Sequence, residues 1–237
     1  MSSERTYRKH FIVMDVDSTL IDEEVIDLIA DEAGVGEKIA AITAAAMRGE
    51  LDFHAALKER VSMLTGLPVS IFPKVLGRVH FTKGVLRLIS TAHKRGWKVG
   101  VVSGGFHEIV DDLVAQAGID YALANRLGIQ RSSDGTVVLS GSLNGPIVDK
   151  AVKLDTLQKW VTSEGLTMED AIAIGDGAND IPMLQAAGFG IAFCAKPAVK
   201  TAVPAHLDVR DLMQALPLID AHDAHDTQDA HDTALAQ

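Results

Sequence analysis

A single cysteine, Cys194, stands in 237 residues. It excludes an internal disulfide and any zinc site built on paired thiolates, and points to a reducing compartment. Long hydrophobic runs are missing as well. The first ten residues are largely polar and only Phe11–Met14 separates them from Asp15, which is too short for a signal-peptide core or a membrane span. The expectation is a cytoplasmic protein with no membrane partner. Positive charge is the third shortage: 22 Lys and Arg face 32 Asp and Glu, for a formal net charge of -10. That balance argues against nucleic acid and anionic membranes as partners, since both select basic patches. If the substrate is an anion, the attraction has to be local, and a bound cation would supply it.

What the chain does have is apolar content, 47%, enough at this length for a full core in one large domain or two small ones. Its organising stretch is Phe11–Leu20. A continuous apolar run fits a strand buried in a parallel sheet covered on both faces. Asp15 and Asp17 then sit at the strand's carboxyl end, where open α/β sheets bind ligands. Two carboxylates one residue apart serve one site only if the chain beyond Asp15 brings them round a common centre. Ser18 and Thr19 suit a turn there. An Asp that only caps a helix is the competing reading.

From Ile21 to Val79 the pattern is helical with short breaks and no strand. Ile21, Val25, Leu28 and Ile29 share a face, and Gly34 and Gly36 end that helix. Lys38 to Arg48 is alanine-rich. Asp52 suits an N-cap for the stripe Phe53, Ala56, Leu57, Val61 and Leu64, which Gly66 and Pro68 close, and Ser70 to Val79 gives one more short helix. A helical block of this length is too long for a connection and predicts a cap domain over 22–82. Arg60 falls on or beside the apolar stripe, and Glu24 adjoins the face carrying Val25 and Leu28. Spacing alone makes Arg60 a snorkelling rim residue and Glu24 a solvated first-turn acid.

Beyond Gly84 helix and strand alternate: a helix from Val85 to Gly96, a strand at Trp97–Val102, a helix over Phe106–Ala117, then strands at Ala171–Ile174 and Phe189–Phe193. The alternation implies right-handed βαβ units and a parallel sheet. Ser103-Gly104-Gly105 reads equally as an anion site at a helix N-terminus and as a plain tight turn. Asp134-Gly135 signals a small hairpin near 124–142. Lys150 and Lys153 precede a helix over Leu154–Val161. Gly175–Asp180 again clusters acids at a strand end, with Pro182 in the first turn of the next helix. Residues 220–237, rich in His-Asp pairs, read as a disordered tail.

Three strand ends thus carry acids, a hydroxyl with glycines, and acids again, with a lysine opening a fourth element. Hard oxygen ligands from Asp15 and Asp176 suit Mg²⁺. Lysine, serine and helix N–H groups match the equatorial oxygens of a phosphoryl group. With Asp17 as a second acid for proton transfer, the set suggests phosphoryl transfer through an aspartyl-phosphate.

Asp15-Val16-Asp17-Ser18-Thr19, Ser103-Gly104-Gly105-Phe106, Lys153 within Val152–Leu157, and Gly175-Asp176-Gly177-Ala178-Asn179-Asp180 resemble, in order and spacing, the four motifs of haloacid dehalogenase superfamily phosphatases. Over residues 11 to about 215 the chain is more similar still to the phosphoserine phosphatase family. Glu24 and Arg60-Val61-Ser62-Met63-Leu64 match positions that hold the substrate's amino acid part, which reverses the reading from spacing. The resemblance implies a Rossmann-like core over 10–21 and 83–216 with a helical cap inserted at 22–82, and Mg²⁺-dependent hydrolysis of O-phosphoserine. Asp15 would be nucleophile and metal ligand. Asp17 would be general acid and base, its backbone carbonyl on the metal, and Asp176 would complete the protein ligands. Ser103, Gly104 and Lys153 would hold phosphoryl oxygens, with Asn179 beside them and Thr19 and Asp180 in support. Glu24 would pair the substrate ammonium and Arg60 its carboxylate. The small-molecule substrate would be met by a monomer or homodimer. Lys83 stands where such sequences place a proline, which puts the hinge in question, and Lys150 competes with Lys153 for the phosphate. The alternatives are a relative acting on another small phosphomonoester or passing phosphate to an alcohol, and a non-enzymatic phospho-acceptor module.

Overall fold

The computed structural model describes residues 7–47 and 50–235. Arg48 and the last two residues of the expected tail lie outside them. In chain order the elements are β1 (Phe11–Met14), α1 (Val25–Ala33), α2 (Gly36–Met47), α3 (Phe53–Ser62), α4 (Phe72–Leu76), α5 (Val85–Lys94), β2 (Lys98–Phe106), α6 (His107–Ala117) and β3 (Tyr121–Asn125). Then follow β4 (Leu127–Arg131), β5 (Val137–Leu143), α7 (Lys150–Ser163), β6 (Ala171–Gly175), α8 (Ile181–Ala186), β7 (Phe189–Phe193), α9 (Pro197–Ala202), β8 (Ala205–Leu207) and α10 (Ala215–Leu235).

Six strands form one sheet in the order β3-β2-β1-β6-β7-β8, every neighbouring pair parallel. This is the expected α/β architecture. Alternate residues of each strand feed opposite faces. Ile12, Met14, Val99, Val101, Ile172 and Ile174 pack on one side with α1, α5, α6 and α10. Phe11, Val13, Val102, Ala171 and Ala173 pack on the other with α7, α8 and α9. Burial on both faces is why β1 and β6 read as uninterrupted apolar runs. The order runs outward from β1 through β2 to β3, then restarts on its other side with β6, so the switch point lies between β1 and β6. Parallel sheets open a crevice at that point, beyond the carboxyl ends of the strands.

Helices α1 to α4 fill the insert between β1 and the sheet-packed α5. Two chains connect it to the sheet, and Ile21 and Phe81 pair across them as an antiparallel bridge. The insert also touches β5: the Gly66 N–H donates to Leu139 O at 2.9 Å, and the Leu139 N–H donates to Leu67 O at 2.8 Å. The expected hairpin is present, with β4 antiparallel to β5. No helix among the described residues is long and apolar enough to cross a membrane.

Several boundaries differ from expectation. Gly34 alone ends α1, in the left-handed conformation at φ 69°, and Gly36 instead opens α2. Strand β2 continues through Ser103-Gly104-Gly105 to Phe106 with a register shift after Val102, so this motif is a bulged strand end and the helix begins only at His107. Helix α7 begins at Lys150 rather than Leu154, because the Asp149 side chain accepts from the N–H groups of Ala151 and Val152. Both lysines are therefore helical. The short strands β3 and β8 carry no run long enough to read from sequence.

The expected disordered tail is corrected most strongly, since α10 runs on to Leu235. Its start is pinned by Arg95, whose two terminal nitrogens meet Asp220 at 2.5 and 3.0 Å. His10 then meets Asp223 at 3.0 Å, and the His222 ring stacks on Phe189 with centroids 4.4 Å apart. Scarce apolar side chains predict disorder, but Arg95 at the end of α5, His10 before β1 and Phe189 of β7 supply the missing contacts.

Candidate active site

Asp15 leaves β1 with its N–H donating to Ile174 O of β6, across the switch point. Its carboxylate accepts from the Val16 N–H at 2.8 Å. The chain then reverses tightly: Asp17 is extended (ψ 133°), Ser18 is left-handed at φ 58°, and the Ile21 N–H returns to Val16 O. This reversal lets two acids one residue apart enter one crevice. Asp17 Oδ1 accepts from the Val25 N–H at the start of α1, at 3.2 Å. Its Oδ2 lies over Gly105, where a Cβ would come within 2.9 Å of it and within 3.0 Å of Ser103 Oγ. Gly105 is thus a glycine because the first two motifs meet on it.

The lysine comes from the opposite face. Lys153 is fully buried, and its Nζ lies 2.8 Å from Asp15 Oδ1 and 2.7 Å from Asp180 Oδ1. Lys150, three residues earlier, is exposed. The other oxygen of Asp180 accepts from the Gly177 N–H at 3.0 Å. A Cβ on Gly175 would approach that carboxylate to 2.6 Å, so the last residue of β6 is also a glycine by necessity. Asp15, Asp176 and Asp180 each present one carboxylate oxygen, all within 4.8 Å of one another. Asp180 adds a third carboxylate beside Asp15 and Asp176; the ligand expected from Asp17 is its backbone carbonyl, and its carboxylate accepts from the start of α1. Asn179 sits on the same turn with its side-chain oxygen above Gly177. Thr19 is buried, with no partner for its hydroxyl among the described residues.

So many acids around one lysine leave negative charge in excess. Burial, then repulsion from Asp180, raises Asp15 to about 7 in spite of Lys153. Burial and Asp180 also raise Asp176 to about 6, with Lys196 opposing. Asp17 stands well above the usual carboxylate range through burial, then Glu24 and Asp15. Burial alone would lower Lys153, but Asp15 and Asp180 outweigh it and hold the ammonium charged. Hard oxygens with uncompensated charge are the donor set of a hard divalent cation.

Over this floor stands the insert. Glu24 precedes α1 and accepts from the Ser18 O–H at 2.8 Å. Arg60, in the last turn of α3, is half-buried; its Nε donates to Ala56 O at 3.3 Å and no carboxylate forms an ion pair with it among the described residues. Burial lowers its pKa, while the charges of Asp27, Glu24 and Asp17 oppose that effect. Arg60 and Glu24 are therefore brought to the same side of the crevice as Asp17. The start of α3 meets the floor directly. A Cβ on Gly104 would lie 3.6 Å from Phe53 Cζ, and His54 Nε2 lies 2.9 Å from Asp149 Oδ2.

Two supporting residues escaped the sequence reading. Arg210 donates to Asp22 Oδ1 at 2.6 Å and to the carbonyls of Ser18 and Ile21 at 3.3 Å each, clasping the loop that follows β1. It lies in a run of charges with no periodic signal. Asn125 is 1% exposed and would have been legible as a polar strand end had β3 been recognised. Lys83, set against the question of its place in the family pattern, pairs with Asp211 at 3.1 Å.

A family model described as haloacid dehalogenase-like hydrolase matches residues 12–185. A phosphoserine phosphatase of Lactococcus lactis is 55% identical over 212 residues, covering 90% of this chain and 96% of its own. One from Methanocaldococcus jannaschii is 42% identical over 212 residues, covering 90% and 98%. Among solved structures, a substrate-bound phosphoserine phosphatase complex aligns with a TM-score of 0.82 at 42% identity, over 90% of this chain and 99% of that one. A phospho-aspartyl intermediate analogue of phosphoserine phosphatase aligns with a TM-score of 0.81 at 42% identity and the same coverage. The chain belongs to the haloacid dehalogenase-like hydrolases and, within them, to the phosphoserine phosphatase family.

Proposed function

We propose that this enzyme hydrolyses O-phosphoserine to serine and inorganic phosphate through a covalent phosphate on Asp15, with Mg²⁺ as its metal. The observation that carries the reading is the buried Lys153 bridging Asp15 and Asp180 at the switch point, with Asp17 alongside and the carboxylate-free Arg60 opposite. A substrate-bound phosphoserine phosphatase and a phospho-aspartyl intermediate analogue among its relatives support it.

In this mechanism Asp15 Oδ2 attacks phosphorus while Lys153 holds Oδ1, and the bond from phosphorus to the seryl oxygen breaks. Asp17, whose pKa is raised well above the usual carboxylate range by burial and by the charges of Glu24 and Asp15, donates a proton to the leaving oxygen. The resulting Asp17 carboxylate takes a proton from water, the water oxygen bonds to phosphorus, and the bond to Asp15 breaks. Ser103 O–H, Lys153 and Asn179 bind the phosphoryl oxygens. Asp180 acts on Lys153 rather than on the phosphate. Asp15 and Asp176 carboxylates, with the Asp17 carbonyl, would hold Mg²⁺, which neutralises charge on the phosphoryl oxygens when bound. Helices α1 to α4 serve as a cap that excludes water during the first transfer, with Glu24 on the substrate ammonium and Arg60 on its carboxylate.

The test is phosphate release from a panel of phosphorylated small molecules with and without Mg²⁺, with acid-quench trapping of protein-bound phosphate. O-phosphoserine preferred, Mg²⁺ required and label on Asp15 is the expected result. Equal turnover of amine-free and carboxylate-free monoesters would contradict the substrate, and no trapped phosphate would contradict the route.

A further inference from the structure

We infer that Asn125 is a positioning residue that aims the Ser103 hydroxyl at the phosphoryl group, an inference that rests on the phosphate-site reading above. Asn125 ends β3 directly before the hairpin and meets the crevice floor through backbone groups. Its Nδ2 donates to Gly104 O at 2.8 Å, and its Oδ1 accepts from the Val148 N–H at 2.8 Å. A carbonyl can only accept and a backbone N–H can only donate, so the two contacts fix which way the amide faces.

The contact with Gly104 O acts on a whole peptide plane. In a trans peptide the C=O and the following N–H point to opposite sides. The plane joining Gly104 to Gly105 is therefore held at both ends, by Asn125 on its carbonyl and by Ser103 Oγ, which accepts from the Gly105 N–H at 2.8 Å. A hydroxyl has one proton and two lone pairs. With one lone pair occupied by Gly105, the Ser103 proton is turned away from that amide and is free for a ligand. Gly104 and Gly105 lack side chains that could stiffen this bulged segment. Asn125 supplies the stiffness from outside and ties it, through Val148, to the turn that leads into Asp149 and the lysine helix.

Asn125→Asp keeps the acceptor for Val148 but sets an oxygen against Gly104 O. It is expected to weaken competitive inhibition by inorganic phosphate, and to lower kcat/KM for O-phosphoserine, by about tenfold, the range of one lost buried hydrogen bond. Ile219→Ala, a cavity in α10 on the far side of the core, is the control: it should lower Tm without moving the inhibition constant. In the wild-type protein, NMR should show a slowly exchanging Asn125 side-chain amide proton whose shift responds to inorganic phosphate. This measurement decides the matter even if the variant does not fold. Ser103→Ala separates the two levels. If it leaves phosphate inhibition unchanged, the phosphate-site reading itself fails. If it weakens inhibition while Asn125→Asp behaves like Ile219→Ala, or the Asn125 amide ignores phosphate, only the inference about Asn125 is overturned.

Discussion

Lys153 and Arg60 are both cations drawn toward acids, yet they are held on opposite terms. Lys153 is fully buried with two carboxylates at 2.7 and 2.8 Å. Arg60 is half-buried and, among the described residues, holds only a helix carbonyl at 3.3 Å. A buried charge without a partner is costly, so the floor completes its pairing as the chain folds. The roof leaves its guanidinium available, and a planar two-pronged donor suits a carboxylate. On the proposed reading the contrast divides the work: the sheet fixes the chemistry and the helical insert chooses what receives it.

The largest expected effect lies on the floor. Asp15→Asn keeps the shape but removes the nucleophile, and phosphate release should fall by about a thousandfold or more. A melting temperature within a few degrees of wild type would show that the loss is chemical. Appreciable turnover in this variant would move the nucleophile elsewhere and dissolve the contrast. Asp17→Asn should cost about 10² to 10⁴ in rate. A substrate with a good leaving group should restore transfer to Asp15 but not the hydrolysis that follows. If it restores neither, Asp17 is not the proton donor.

The same contrast was visible in the sequence to different degrees. Floor residues stand at strand ends, where apolar runs stop at Asp15 and Asp176, so their position follows from the run. Arg60 lies on a helix and Glu24 directly before one, and spacing alone makes them a rim residue and a solvated acid; only resemblance to a family points them at the substrate. Asp180 was legible as one acid in a cluster, but its carboxylate joining Asp15 and Asp176 depends on the close approach permitted by Gly175. Arg210 acts on backbone carbonyls far away in sequence, which leaves no local signature, and Asn125 becomes legible only once β3 is recognised as a strand. The helix of α10 is not legible because its contacts with Arg95 and His10, more than a hundred residues earlier, cannot be counted from its own composition.

A smaller effect sharpens the electrostatics. With Asp15 near 7 and Asp176 near 6, the metal-free folded protein holds more protons than the unfolded chain across the range between the ordinary carboxylate value and neutrality. The stability these groups contribute is full below about pH 4 and is lost as pH rises through 6 and 7. A cation must displace those protons. The gain in Tm on adding Mg²⁺ should therefore be larger at about pH 7.5 than at about pH 5. An equal gain at both would show that Asp15 and Asp176 are not the cation's ligands.

The smallest effect lies outside both regions. Removing the chain from Asp220 onward breaks the contacts to Arg95 and His10 and should lower Tm by a few degrees, at about 2–4 °C per kcal/mol for a chain of this size. kcat should stay unchanged. A large loss of activity would tie α10 to the site.

The division between floor and roof is tested most directly by the ratio of kcat/KM for O-phosphoserine to that for para-nitrophenyl phosphate, measured in wild type and in Arg60→Ala. Losing a desolvated charge pair costs about 2 to 5 kcal/mol, so the ratio should fall by tens-fold or more while para-nitrophenyl phosphate turnover holds. If both substrates lose equally, Arg60 holds the insert in place and does not read the substrate.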